Sequence, residues 1–217
     1  MEFDAVILAG GRSSRLGGVP KARLAFDGAS LLERSLLAAR GARRTVVVGP
    51  VREELPAGVL YSREDPPFSG PAAALAAGLA ALAAPEDGGP ELSHAPLTLV
   101  LACDMPLVAG AVAALLAAGP SNCAASDGAV AVSADGRTQP LVGLYGTSAL
   151  QRVVDDAARR GALVGGSMFG LLASLELRSV PVPSGSTDDV DTWDDADALG
   201  IARPGTGEPG DARQQTT

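Results

Sequence analysis

Residues 5–21 read Ala5-Val6-Ile7-Leu8-Ala9-Gly10-Gly11-Arg12-Ser13-Ser14-Arg15-Leu16-Gly17-Gly18-Val19-Pro20-Lys21, and this stretch decides the fold. Ala5 to Ala9 is a short apolar run without polar alternation, the pattern of a strand buried on both faces, and Gly10-Gly11 ends it. Glycines, small hydroxyls, Arg12, Arg15 and Lys21 follow in a polar loop. Glycine lets backbone N–H groups approach an anion closely, and arginine and lysine neutralise it, so the segment has the chemistry of a polyphosphate cradle. It is not a Walker A loop, because Lys21 lies between Pro20 and Ala22 where that motif needs Gly before and Ser or Thr after. Nor does it have the GxGxxG spacing of a dinucleotide site.

Outward from this stretch, short β-branched runs alternate with longer helical patterns. Strands are expected at Thr45 to Val48, Gly58 to Tyr61 and Leu97 to Ala102, with a short extended piece at Arg23 to Phe26 closed by the turn pair Asp27-Gly28. Ser30 and Glu33 have capping-box spacing and start a helix expected to reach about Arg40. Pro71 suits the first turn of a helix running to about Ala84, and another helix ends near Ala118. Later, Ala129 to Ser133 and Leu141 to Tyr145 read as antiparallel strands, and Leu177 to Val182 as a further strand. Helices near 148–160, 168–175 and 193–199 complete the pattern. Strand–helix alternation through the first 120 or so residues is the βαβ arrangement of a parallel sheet covered on both faces. The expected fold is a three-layer, Rossmann-like α/β domain with a mostly parallel mixed sheet. It should occupy residues 1–202, with 203–217 a disordered tail that has little to bury.

The chain has 217 residues, 47% of them hydrophobic and 19% charged, enough for one well-buried core. The net charge of −8 argues against nucleic acid as a partner, since no basic stripe is available to neutralise phosphates. An acidic N-terminus and the lack of a long apolar run argue against a signal peptide or a membrane span, which leaves the cytoplasm as the expected compartment. Cys103, Cys123 and the single His94 form no metal-ligand or triad pattern, and both cysteines read as small buried apolar residues. Of the 17 basic residues only Lys21 is lysine, and it closes the glycine-rich loop.

In open α/β sheets ligands bind beyond the carboxyl ends of the strands. Besides the glycine-rich loop, that rule selects Asp104, just after the Leu97 to Ala102 strand, as a carboxylate suited to Mg²⁺. An Asp there could instead cap the next helix. It also selects the cluster Asp188-Asp189-Val190-Asp191-Thr192, where Thr192 and Asp195 have the spacing of a helix N-cap.

The stretch LAGGRSSRLGGVPKARL closely resembles the nucleotidyltransferase signature LAGGxSxRxGxxK, and specifically that of the bacterial molybdenum cofactor guanylyltransferases. Further blocks follow in the family's order: Glu64-Asp65 before Ser69-Gly70-Pro71, Cys103-Asp104-Met105-Pro106, Gln139-Pro140, and Asp189-Val190-Asp191-Thr192. The resemblance implies a GT-A nucleotidyltransferase domain that transfers GMP from GTP to molybdopterin with Mg²⁺ and releases pyrophosphate. It implies that the Leu8, Ala9, Gly10 and Gly11 backbone meets guanine and ribose, that Arg15 holds the leaving phosphates, and that Lys21 neutralises the triphosphate. Asp65 and Gly70 would belong to the nucleotide pocket and Asp104 would bind Mg²⁺. Asp191, standing with Asp189 where the family commonly has Asn, would add a second carboxylate to the metal. Gly49 likewise replaces a common Asn, and residues 161–172 lack the arginine expected to help hold the acceptor. A protein that delivers molybdopterin is implied as a possible partner.

Two other readings compete. One is a nucleotidyltransferase with another phosphorylated acceptor, such as a sugar phosphate or phospholactate, or with another NTP. The other is a catalytically silent nucleotide-binding protein, against which the intact Arg15, Lys21 and Asp104 stand.

Overall fold

The computed structural model describes residues 1–11, 13–50, 55–84, 93–119 and 126–203. Arg12, Cys123 and all but the first residue of the tail expected at 203–217 lie outside the described residues.

The sheet forms around β1 (Phe3–Leu8), in which every residue is buried. Flanking it on one side are β4 (Thr45–Val48) and β5 (Val59–Ser62), and on the other β6 (Leu97–Ala102), all parallel to it. Beyond β6 come β8 (Thr138–Gly146), β7 (Gly128–Val132) and β9 (Leu177–Pro181), giving the order β5-β4-β1-β6-β8-β7-β9. Only β8 runs against the rest. A two-residue hairpin, β2 (Ala25–Phe26) with β3 (Ala29–Ser30), stands apart from the sheet. Its turn residues Asp27 and Gly28 both have positive φ, 49° and 79°, which is what the type I′ geometry of a tight hairpin requires.

Side chains alternate between the two faces of the sheet, and so does the core. Ala5 and Ile7 of β1 join Leu99 and Leu101 in the cluster under α1 (Leu31–Ala38) and α3 (Val108–Ala118). Val6 and Leu8 join Val46, Val48 and Val100 under α2 (Pro71–Ala83), α4 (Thr147–Arg159) and α5 (Met168–Leu172). The result is the expected three-layer arrangement. On the second face α2 lies so close to β1 that a Cβ on Gly78 would come within 2.6 Å of Val6 Cγ1.

A third cluster is smaller and matters more for the site. Leu16 and Leu24 of the glycine-rich segment and Leu31 pack with Val190, Ala196 and Ile201. The last two flank or belong to α6 (Trp193–Ala198). This contact ties the N-terminal loop to the C-terminal acidic segment. At the far end of β1, Asp4 is fully buried, and its charge is matched by a bidentate pair with Arg43 at 3.0 and 3.1 Å and by the Ala95 N–H at 2.8 Å. That carboxylate serves the fold.

The expected strand at Leu141 to Tyr145 extends in both directions. Pairing of β8 with β7 shifts register between Val130 and Ala131, so that Val130 faces Gly143 while Ala131 faces Gln139. Pro140 falls within the skipped segment, where a missing N–H costs no ladder bond. The Tyr145 hydroxyl donates to the Pro140 carbonyl at 2.7 Å and holds the irregularity in place. The helix expected to reach Arg40 closes at Ala38, with its Ser30–Glu33 capping box formed in both directions at 2.7 and 3.1 Å.

Candidate functional site

Strand order reverses at β1, since the chain moves outward to β4 and β5 and then returns to the opposite side as β6. Leu8 pairs with Val48 on one side and Ala102 on the other, so these strand ends are level. The Cys103 N–H donates to the Leu8 carbonyl at 3.1 Å, which joins the two loops leaving the crevice. Sites in doubly wound sheets form at such a switch point.

From β1 the glycine-rich segment turns through two short 3-10 stretches, Ser14–Leu16 and Lys21–Arg23. Ser13, at φ 45°, and Gly17 and Gly18, at 64° and 86°, carry the left-handed conformations that fold the segment back on itself. The Leu16 and Gly18 N–H groups both donate to the Ser13 carbonyl, at 2.9 and 3.0 Å. Buried Leu16 and Ala22 anchor the ends and leave Arg15 exposed. Gly49 approaches the same loop, and a Cβ there would lie 2.7 Å from the Ala9 carbonyl carbon, so the backbone of this chain has no room for an Asn.

Lys21 reaches into the crevice with its Nζ 2.8 Å from Asp104 Oδ2, and it also pairs with Asp191 Oδ1. Arg15 stands 3.6 Å from the other Asp191 oxygen. Burial lowers the Lys21 pKa, but the charge and hydrogen bond of Asp104 and those of Asp191 outweigh it and push the ammonium up to about 12. Oxygens of Asp104, Asp189 and Asp191 all lie within 4.8 Å of one another. Burial, reinforced by the charges of Asp104 and Asp191, raises the Asp189 carboxyl above the usual range. Asp104 Oδ1 is buried without a hydrogen-bond partner among the described residues. Hard carboxylate oxygens close together, one of them lacking a donor, fit a divalent cation.

Capping does not compete for these carboxylates. The cap of α6 is Thr192 with Asp195, whose Oδ2 accepts the Thr192 N–H at 2.7 Å and the Asp191 N–H at 3.1 Å. The Asp191 side chain is thereby left to Lys21 and Arg15. The Val190 N–H donates to the Asp104 carbonyl at 3.0 Å and fixes the acidic segment against the end of β6.

Two cavities share Gly10, Gly11 and Phe68. One, of about 420 Å³, runs past Ser13 and Pro20 to Lys21. The other, of about 410 Å³, runs to Glu64, Gly70 and Leu141. A third, of about 530 Å³, is lined by Asp189, Asp188, Thr187, Gln139 and Arg137 among others.

The structure thus brings together Gly10, Gly11, Arg15, Lys21, Asp104 and Asp191, with Gly70 in the adjoining cavity. Leu8 and Ala9 contribute differently. Leu8 buries its side chain in the core, and the Ala9 N–H donates to Val48 at 2.8 Å, so both set the position of the loop. Asp65 is exposed, while its neighbour Glu64 is buried in the cavity wall. The sequence names Glu64 only within the Glu64-Asp65 block and gives it no role, and Phe68 carries no signal there. Glu64 lies just beyond the carboxyl end of β5, so the strand-end rule that selects Asp104 would also have found it. Cys103 is buried, and that burial pushes its thiol up, in keeping with an inert packing residue.

Residues 5–169 match the model of the MobA-like NTP transferase domain. A molybdenum cofactor guanylyltransferase of Shewanella sp. strain MR-4 is 30% identical over 148 residues, which span 65% of this chain and 68% of that protein. Among solved structures, molybdopterin-guanine dinucleotide biosynthesis protein A from Archaeoglobus fulgidus is similar at a TM-score of 0.63 and 19% identity, over 91% of this chain and 96% of that one. The 2-C-methyl-D-erythritol 4-phosphate cytidylyltransferase of Thermus thermophilus is also similar at 0.63, with 24% identity over 92% of this chain and 97% of that one. The solved structures speak for the fold, and the matched domain and the curated relative for the lineage: the chain belongs to the MobA-like NTP transferase family.

Proposed function

We propose that this nucleotidyltransferase transfers GMP from GTP to molybdopterin, in a Mg²⁺-dependent reaction that releases pyrophosphate. The observation that carries the reading is the Lys21 ammonium held between Asp104 and Asp191 at the mouth of the cavity lined by Gly10 and Gly11. It places a cation and a carboxylate cluster where a triphosphate leaving that cavity would meet them. The guanylyltransferase relative supports GTP and molybdopterin as the substrate pair.

In this reaction an oxygen of the acceptor's terminal phosphate forms a bond to the α-phosphorus of GTP. The bond from that phosphorus to the β-phosphate oxygen breaks, and pyrophosphate departs with the electron pair. Such transfers depend on positioning and charge stabilisation and need no side-chain nucleophile, which agrees with a site built of glycines, cations and carboxylates. Gly10 and Gly11 admit the base and ribose, and exposed Arg15 reaches the β- and γ-phosphates. Lys21, on a flexible stem, turns from the carboxylates to the triphosphate. Asp104 and Asp191, with Asp189 beside them, would hold Mg²⁺, which when bound supplies charge neutralisation to the phosphates. The cavity lined by Asp189 would offer room for the acceptor.

A panel of nucleotides and phosphorylated acceptors, read by pyrophosphate release, tests this directly. GTP with molybdopterin is expected to give the highest turnover. Turnover with a sugar phosphate or phospholactate, and none with molybdopterin, would refute the acceptor while leaving the transferase chemistry intact.

A further inference from the structure

Glu64 is 7% exposed and lies just beyond β5, in the wall of the cavity that contains Gly10 and Gly11. Its Oε1 accepts the Phe68 N–H at 2.9 Å, and the same atom is 4.0 Å from where a side chain on Gly10 would begin. The carboxylate therefore borders the space above the bare Gly10 backbone. Its other oxygen, Oε2, is buried and has no hydrogen-bond partner among the described residues. A buried carboxylate oxygen without a donor is costly, and holding the 64–68 loop through Phe68 requires only one oxygen, a task a glutamine would perform as well.

We propose that Glu64 is the residue that selects guanine, its carboxylate accepting hydrogen bonds from the N1–H and 2-amino groups of the base. This rests on the proposed function for one point only, the placement of the base beside Gly10 and Gly11. Guanine alone among the common bases presents two adjacent donors on one edge. Adenine and cytosine set an amino group beside a ring-nitrogen acceptor, which a carboxylate repels, and uracil offers one N–H between two carbonyl oxygens. A carboxylate has about four acceptor positions, so Oε1 can keep the Phe68 N–H while the group receives the base. The Phe68 ring, 44% exposed and bordering both cavities, forms an apolar wall beside that edge.

The test is nucleotide affinity without any acceptor, measured by calorimetry with GTP, ITP, ATP and CTP in the presence of Mg²⁺. ITP keeps N1–H but lacks the 2-amino group. The wild-type protein is expected to bind GTP about tenfold or more tightly over ITP, the scale of one hydrogen bond to a charged group. Glu64→Gln keeps an oxygen for the Phe68 N–H but turns an amide donor toward the base, and should reduce that preference to within about threefold with little change in Tm. Equal wild-type affinity for GTP and ITP, a result that depends on no variant, would overturn the assignment. So would an undiminished GTP preference in folded Glu64→Gln, a result that would count against Glu64 as the guanine reader but not against the proposed reaction. A wild-type preference for CTP or ATP would overturn both Glu64 as guanine reader and GTP as substrate.

Discussion

Lys21 is the only lysine in the chain, and its ammonium bridges two carboxylates that come from the middle and from the C-terminal part of the sequence. With its pKa pushed up to about 12 it remains charged throughout the neutral range, so it serves as a fixed cation and not as a general base. Lys21→Ala and Asp104→Ala are each expected to lower turnover by about 10²-fold or more, the scale of removing one electrostatic stabiliser, with pyrophosphate release as the measurement. Wild-type turnover in folded Asp104→Ala would remove that residue from the chemistry. Lys21, Arg15 and Asp104 were legible in the sequence because residue type and position after a strand identify them. The bridge to Asp191 was not, because it depends on how residue 191 returns across the sheet to residue 21.

The elements are built from local rules that can be tested one at a time. Accepting the Ser30 N–H in the capping box of α1 holds the Glu33 carboxyl below its usual 4.5. A lowered folded pKa means that this stabilisation is present above about pH 4.5 and is lost as pH falls through the lower folded value. Glu33→Gln should therefore lower Tm at pH 7 and narrow the Tm loss on acidification to pH 3, as read by thermal melts at both values. Packing of α2 on β1 gives a second test. Gly78→Ala must displace Val6 and Val48, at a cost of about 1–3 kcal/mol and a fall of several degrees in Tm. Apolar runs made β1, β4 and β6 readable, and cap spacing made the starts of α1 and α6 readable. The full length of β8 was hidden because a proline inside a strand reads as a stop, and only pairing with β7 shows that the ladder skips it. The 3-10 turns of the glycine-rich segment were hidden too, since glycine and serine leave no periodic pattern and their conformation is set by Leu16 docking against the C-terminal segment.

At the scale of the molecule, the two main cores join helices to the two faces of one sheet, and the third core sets the site upon it. Leu16, Leu24, Val190 and Ile201 clamp the glycine-rich loop to the acidic segment over the switch point between β1 and β6. The strand–helix alternation already implied a crevice there. That Asp191 pairs there with Lys21, and that Glu64 is buried while Asp65 is exposed, emerge only from the assembled fold. The proposed activity of this crevice is transfer of a nucleotidyl group from GTP to molybdopterin. The most direct measurement tracks label from GTP marked at either the α- or the γ-phosphate, incubated with molybdopterin and Mg²⁺. The α-label is expected to appear in the molybdopterin product while γ-label leaves as pyrophosphate, and Asp104→Ala is expected to lose both signals together. Transfer of γ-label to the acceptor, or no transfer of α-label from wild-type protein, would contradict the proposed activity.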